Sequence, residues 1–218
     1  TAFEDNFTAT IFWTSGRGAA SIVRGRIPMR KGARTVTIGG GSLRGRALRY
    51  PDVAGLRPSM QRTKASMFSS LAADIDGAVF ADLYAGAGAV GIEALSRGAR
   101  FVHFIETNRA ALEALRENLA RCGVDATRFR VHGEAVAPVL DARPCPLAGA
   151  SVVFADPPYD LALGDELVAR VSLAALPSLA WLVVEHRARA RVDAPRGMTK
   201  ERERRFGETM LTYFARGE

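Results

Sequence analysis

Val79-Phe-Ala-Asp-Leu-Tyr-Ala-Gly-Ala-Gly-Ala-Val-Gly91 is a short apolar run that breaks into glycines and resumes as Ile92-Glu-Ala-Leu-Ser-Arg97. An apolar run followed by Gly86, Gly88 and Gly91, with helix formers behind them, reads as a buried strand, a tight turn and a helix start. Glycine permits the turn and a close approach to the backbone, while the first helical turn presents N–H groups that lack intrahelical partners. Such a cradle suits a nucleotide, and a dinucleotide is its commonest occupant.

Asp82 changes that expectation. It stands at the end of the strand, four positions ahead of Gly86, where a carboxylate repels a pyrophosphate and attracts an amino group. S-adenosylmethionine, with its sulfonium and α-ammonium, suits the cradle better. Asp82, Tyr84, Ala85, Gly86, Gly88 and Gly91 are its expected contacts there.

Working outward, strands and helices alternate. Phe101–Glu106 is a strand, Asn108–Cys122 a helix stopped at Gly123, Phe129–His132 a strand and Ser151–Ala155 another. Asp165–Leu173 reads as a helix, Trp181–Glu185 as a strand, and Arg202–Phe206 with Thr209–Phe214 as a closing hairpin. The pattern predicts an α/β fold with a mostly parallel sheet and helices on both faces. Ligands of such sheets bind beyond the carboxyl ends of the strands. Asp82, Glu106, Glu134, Asp156 and Glu185 all fall at that edge. Glu106, with Thr107, can accept from ribose hydroxyls, which nicotinamide dinucleotides and S-adenosylmethionine both possess. Glu134, with Ala135, can accept from an adenine amino group.

Asp156-Pro157-Pro158-Tyr159 points to the chemistry. Consecutive prolines stiffen the backbone and remove donors, so the local carbonyls can only accept. Asp156 and the Pro157 carbonyl then make a pair of acceptors, and Tyr159 offers a stacking face. The corner suits an exocyclic NH2, whose lone pair is delocalised into its ring until acceptors on its hydrogens favour the pyramidal form. Asp156, Pro157 and Tyr159 are the candidate catalytic residues. A base must leave its stack to reach them.

The chain has 218 residues, 48% of them hydrophobic, and a formal net charge of +7. That length supports one large domain with an appendage. No apolar run approaches the roughly 20 residues of a membrane span, and no secretory signal is evident. Cys122 and Cys145 are too few for a disulfide framework or a zinc site, and a reducing cytoplasm is the simplest compartment. Positive charge is concentrated between Arg17 and Lys64, with twelve Lys or Arg against Asp52 alone. Residues 1–33 are expected to be irregular. Residues 34–72 read as a basic hairpin followed by a helix from Ser59 to Leu71, with Arg44, Arg46, Arg49, Arg57, Arg62 and Lys64 turned outward to RNA phosphates. Residues 73–218 form the main domain. His103, His132 and His186 receive no catalytic role.

Together, the Ile38-Gly-Gly and Arg44-Gly-Arg elements, Arg57-Pro-Ser, Asp82 through Gly98-Ala99, Glu106, Asn118, Asp156-Pro-Pro-Tyr159, Glu185 and Arg205–Tyr213 resemble the RsmD family of bacterial 16S ribosomal-RNA guanine-N2 methyltransferases. The chain departs from the family pattern at Ala87, Ser59 and Ala65. The resemblance implies a Rossmann-like class I methyltransferase fold with a seven-stranded sheet and S-adenosylmethionine as cofactor. It also implies a monomeric, metal-free enzyme that methylates guanine 966 of 16S rRNA in an assembling small subunit. Other exocyclic-amine methyltransferases share the amine pocket, and a non-catalytic RNA-binding module or a nicotinamide dehydrogenase would share the cradle.

Overall fold

The computed structural model describes residues 9–13, 21–25, 34–50, 59–158, 167, 170–171 and 175–217. In chain order the strands are β1 Ala9–Trp13, β2 Ser21–Gly25, β3 Arg34–Thr37 and β4 Ala47–Tyr50. Then come helices α1 Ser59–Ser70 and α2 Ala72–Ile75, strand β5 Val79–Leu83, helix α3 Ala89–Ser96, strand β6 Phe101–Ile105 and helix α4 Arg109–Arg121. Strand β7 Phe129–His132, helix α5 Val136–Asp141, β8 Val152–Ala155, β9 Trp181–Arg187, β10 Met198–Phe206 and β11 Thr209–Arg216 complete the order.

Seven of the described strands form one sheet in the order β10-β11-β9-β8-β5-β6-β7. Strands β5 to β9 are parallel, while β11 runs antiparallel to both β9 and β10. The central strands β5 and β8 have apolar cores on both sides, which is why they read as continuous apolar runs. Helix α4 buries Ala111, Leu112, Leu115 and Leu119 at helical spacing, and Asn108 caps it by accepting from the Ala111 N–H at 3.0 Å. The alternation expected from the sequence is therefore present, including the closing hairpin. The helix expected at Asp165–Leu173 lies largely outside the described residues.

The N-terminal expectations need correction. Within residues 1–33, expected to be irregular, β1 and β2 pair antiparallel from Ala9↔Gly25 to Trp13↔Ser21. The β-branched and aromatic residues of Ala9-Thr-Ile-Phe-Trp13 carry strand propensity that the glycine-rich stretch after them obscures. The basic hairpin forms as β3 and β4, joined by a connection from Ile38 to Arg46.

That hairpin is bolted to helices α3 and α4. Ser42 N–H donates to the Ser96 carbonyl at 2.7 Å, Leu43 N–H to Ser96 Oγ at 2.8 Å, and Ser96 Oγ to the Gly40 carbonyl at 2.6 Å. Gly41, at φ +77°, lies so close that an added Cβ would stand 1.8 Å from the Ser96 carbonyl oxygen. On the other side, buried Asn118 accepts from Arg49 N–H at 2.8 Å and donates to the carbonyls of Arg49 and Ala87, each at 2.9 Å. Val36, Ile38 and Leu48 of the hairpin and Met67, Phe68 and Leu71 at the α1 end share one core with Phe80, Phe104 and Tyr213.

Candidate active site

The strand order reverses between β5 and β8, because β5 continues to β6 on one side while β8 continues to β9 on the other. Crevices at such a reversal are where open α/β sheets take ligands. Asp82 near the end of β5 and Asp156 after β8 face one cavity there, with about 480 Å³ of unfilled space, together with Tyr50, Thr63, Lys64, Tyr84, Leu211 and Glu185. A second cavity of about 640 Å³ is lined by Tyr84, Glu106, Thr107, Glu134, Ala135 and Arg170. The two meet at Tyr84, a non-glycine residue at φ +64°. L-residues pay roughly 1–2 kcal/mol for that conformation, which places the strain at the junction of the cavities.

Asp82 is 2% exposed, and its Oδ2 accepts from the Gly91 N–H at 2.8 Å. Burial pushes its carboxyl up to about 7, with the charges of Asp156 and Glu106 adding to the rise and the Gly91 bond opposing it. Tyr50 closes the cavity from the hairpin. Burial, followed by the charges of Asp156, Asp82, Glu106 and Glu185, pushes its hydroxyl up to about 12, so it stays a donor beside four carboxylates. Glu106 is preset by the backbone, its Oε1 accepting from Thr107 and Asn108 N–H at 2.8 and 2.7 Å and its Oε2 from Gly86 N–H at 2.8 Å.

Several of the glycines also pack closely against neighbouring side chains. A Cβ on Gly88 would stand 2.3 Å from Leu115 Cδ1, and one on Gly91 2.3 Å from Phe104 Cε1, so both glycines are required for packing. Gly86 faces the Tyr50 hydroxyl, 3.2 Å from where its Cβ would be. Pro157 is buried beside Asp156, while Tyr159 lies outside the described residues.

The outward-facing cation set also needs correction. Lys64 is 4% exposed and pairs with the fully buried Glu93 at 2.7 Å. Arg46 donates to the Arg121 carbonyl at 3.1 Å, and Arg49 pairs with Glu117 at 2.5 Å. These three cations serve docking of the hairpin and α1, because α4 and the buried Glu93 offer them acceptors. Arg44 and Arg62 are exposed as expected, and Arg57 lies outside the described residues. Tyr50 and Thr63 complete the cavity wall without having been singled out as site residues, and Glu185, expected at the strand-end edge, lines it too. For Tyr50 the available signal was its position at the hairpin's end, opposite Arg34 in register.

Among the described residues no group of three or more His, Cys, Asp or Glu side chains could hold a metal ion, and no helix is long and apolar enough to cross a membrane. His103 and His132 bond each other at 3.1 Å, and His186 bonds Thr212 Oγ1 at 2.8 Å.

Residues 36–215 match the family model described as conserved hypothetical protein 95. The chain is 38% identical over 141 residues to the ribosomal RNA small subunit methyltransferase D of Escherichia coli (strain K12), covering 65% of this chain and 69% of that one. The solved structure of the Escherichia coli protein yhhF superposes with a TM-score of 0.73 at 33% identity, over 84% of this chain and 98% of that one. The magnesium protoporphyrin IX methyltransferase of Synechocystis PCC 6803, solved with bound SAM, is 15% identical and shares the fold at a TM-score of 0.57, over 73% of this chain and 80% of that one.

Proposed function

The chain belongs to the conserved hypothetical protein 95 family, that of the RsmD methyltransferases, and has their Rossmann-like class I fold; on that premise we propose that it methylates the exocyclic N2 amine of a guanine in small-subunit ribosomal RNA, with S-adenosylmethionine as donor. The base is the one the family resemblance names. The observation that carries this reading is the placement of Asp156 and Glu185 side by side. Ala155 pairs with Val184 in the parallel β8–β9 ladder, and the next residue on each strand lines the same cavity. Strands in a ladder lie about 4.8 Å apart. Guanine's Watson–Crick edge offers two adjacent donor sites, N1–H and the N2 amine, which two carboxylates complement. Adenine offers an amine beside a bare ring nitrogen, which a second carboxylate repels.

The residues also fit the donor. Acidic Asp82, Asp156 and Glu185 suit a cationic ligand in the first cavity, and Glu106, Thr107, Glu134 and Ala135 suit a nucleoside in the second. S-adenosylmethionine, when bound, supplies an electrophilic methyl group on a sulfonium. Asp82 attracts the ammonium, and Glu106, oriented by three backbone N–H groups, accepts from the ribose. Asp156 and the Pro157 carbonyl hold the hydrogens of the N2 amine, which turns its lone pair out of the ring, and the nitrogen loses a proton as it is methylated. Orientation and fixed electrostatics supply most of the acceleration.

The test is mass mapping of small-subunit rRNA from cells lacking the chain. The expected result is loss of one N2-methylguanine, restored by the wild-type protein and not by Asp156→Ala, whose cofactor affinity stays within a few fold. An unchanged methylation map, or full restoration by Asp156→Ala, refutes the assignment.

A further inference from the structure

Strand β10 is charged on both faces from Lys200 to Arg205. Arg204 pairs with Leu211, and Leu211 pairs with Glu185 on β9. Directly paired residues share a face of the sheet, and Leu211 and Glu185 both line the Asp156 cavity. Arg204 is therefore on the cavity face. Glu203 pairs with Thr212 and falls on the opposite face, where Lys200 Nζ donates to it at 2.9 Å. Arg202 and Arg204 are thus on the cavity face, while Lys200, Glu203 and Arg205 are on the other.

Two positions further along, Phe206 pairs with Thr209 and Thr209 with Arg187, which puts Phe206 and Arg187 on that same face nearer the open strand ends. Arg202 is engaged below, over the Tyr213 ring at 5.0 Å and bonded to the Ser70 carbonyl of α1. Arg204 is exposed and makes no hydrogen bond or ion pair among the described residues. Arg187 is exposed too, and Phe206 is half-buried. Arg62 is exposed on α1, one and two turns before Ser66 and Ser70 on one helix stripe, and Ser70 meets Arg202.

A cavity walled by the carboxylates Asp82, Asp156 and Glu185 repels a polyanion. A nucleotide can enter only if cations at the rim hold the phosphates on either side of it. We infer that Arg204, Arg187 and Arg62 form that rim, and that Phe206 stacks a base flanking the target, so that the RNA strand runs over the β9–β11 margin of the cavity rather than along the hairpin alone. The inference rests on the methyltransferase reading of the cavity.

The test uses full-length protein and small ribosomal subunits isolated from cells lacking the chain, with KM, kcat and S-adenosylmethionine affinity measured separately over a range of salt. Arg204→Glu should raise KM for the particle about tenfold. Arg204→Gln and Arg187→Gln should each lower the slope of log KM against log salt by about 0.7, the loss of one single-strand phosphate contact. Phe206→Ala should raise KM and leave the slope unchanged. Cofactor affinity should stay at the wild-type value in all four, which a general disruption of the fold would not allow. Wild-type KM and slope in both Arg204 variants and in Arg187→Gln would overturn the rim while leaving the methyltransferase reading intact. A wild-type protein that binds the cofactor yet methylates no particle would overturn that reading and the rim with it.

Discussion

Replacing Glu93 with alanine should destabilise the protein more than its single carboxylate suggests. Glu93 is fully buried in α3 and accepts from Lys64 at 2.7 Å, from Arg97 Nε and Nη2 at 2.9 and 2.8 Å, and from Gly39 N–H at 3.1 Å. Arg97 keeps access to water and lies over Phe68, but the Lys64 side chain is only 2% exposed. The variant leaves a buried ammonium with just the Thr37 carbonyl, 3.2 Å away, and strands the Gly39 N–H. Breaking one side of a buried ion pair costs about 3–5 kcal/mol. At about 2–4 °C per kcal/mol for a chain of this size, Tm should fall by about 10 °C. Adding Lys64→Met removes the stranded charge, so the double variant should recover at least half of the loss. Lys64→Met alone should cost less than Glu93→Ala, because Arg97 and Gly39 still satisfy Glu93. Thermal unfolding of the four proteins reads this directly. A fall of less than about 3 °C in Glu93→Ala, or a double variant no more stable than the single one, would refute the claim that an uncompensated Lys64 charge carries the cost.

Two further predictions follow from the cavity and the glycine turn. The Asp82 carboxyl, pushed up to about 7 by burial, is largely protonated below that pH, and a cationic donor favours its ionised form; S-adenosylmethionine affinity should therefore rise with pH and level off above about 8, with proton release on binding, and Asp82→Asn should abolish the pH dependence in calorimetry. Because the folded value lies above the ordinary 3.8, this group's contribution to the stability of the unliganded protein is full below about 4 and declines as pH rises through 7. Gly91→Ala should lower stability by about 1–3 kcal/mol through overpacking, since its Cβ would meet Phe104 at 2.3 Å and Val102 at 2.9 Å; an unchanged denaturant midpoint would refute the packing role.

The sheet was legible because its strands obey local rules. Val79–Leu83 and Val152–Ala155 are buried on both faces and bounded by turn residues, and Asn108 caps a helix whose apolar stripe is regular. The meeting of Asp82, Asp156 and Glu185 in one cavity could be anticipated from strand ends, since parallel strands bring their carboxyl termini to one edge. Lys64, Arg46 and Arg49 could not be read the same way. A cation in a basic stretch looks exposed until the tertiary fold supplies its acceptor, and Glu93, Arg121 and Glu117 lie 29, 75 and 68 positions away in the chain. The packing role of Gly88 and Gly91 was not legible for a related reason: a glycine that admits a ligand and one that admits a neighbouring side chain look identical in sequence.

The hairpin illustrates how these two kinds of residue divide the labour. Its arginines anchor it to α4, and what it delivers to the cavity is Tyr50, two strand positions beyond Leu48, which is fully buried in the core. A hydroxyl held at about 12 in the field of Asp156, Asp82, Glu106 and Glu185 cannot ionise at neutral pH, so it remains a donor that relieves repulsion among them. Such a wall suits a cation and a donor-rich base edge and disfavours phosphate. On the proposed reading, attraction for the RNA backbone comes from residues on the same face but outside the wall, a position that the register of β9, β10 and β11 gives to Arg187 and Arg204. The hairpin thus shapes the cavity, and on the proposed reading the far margin of the sheet holds the strand that enters it.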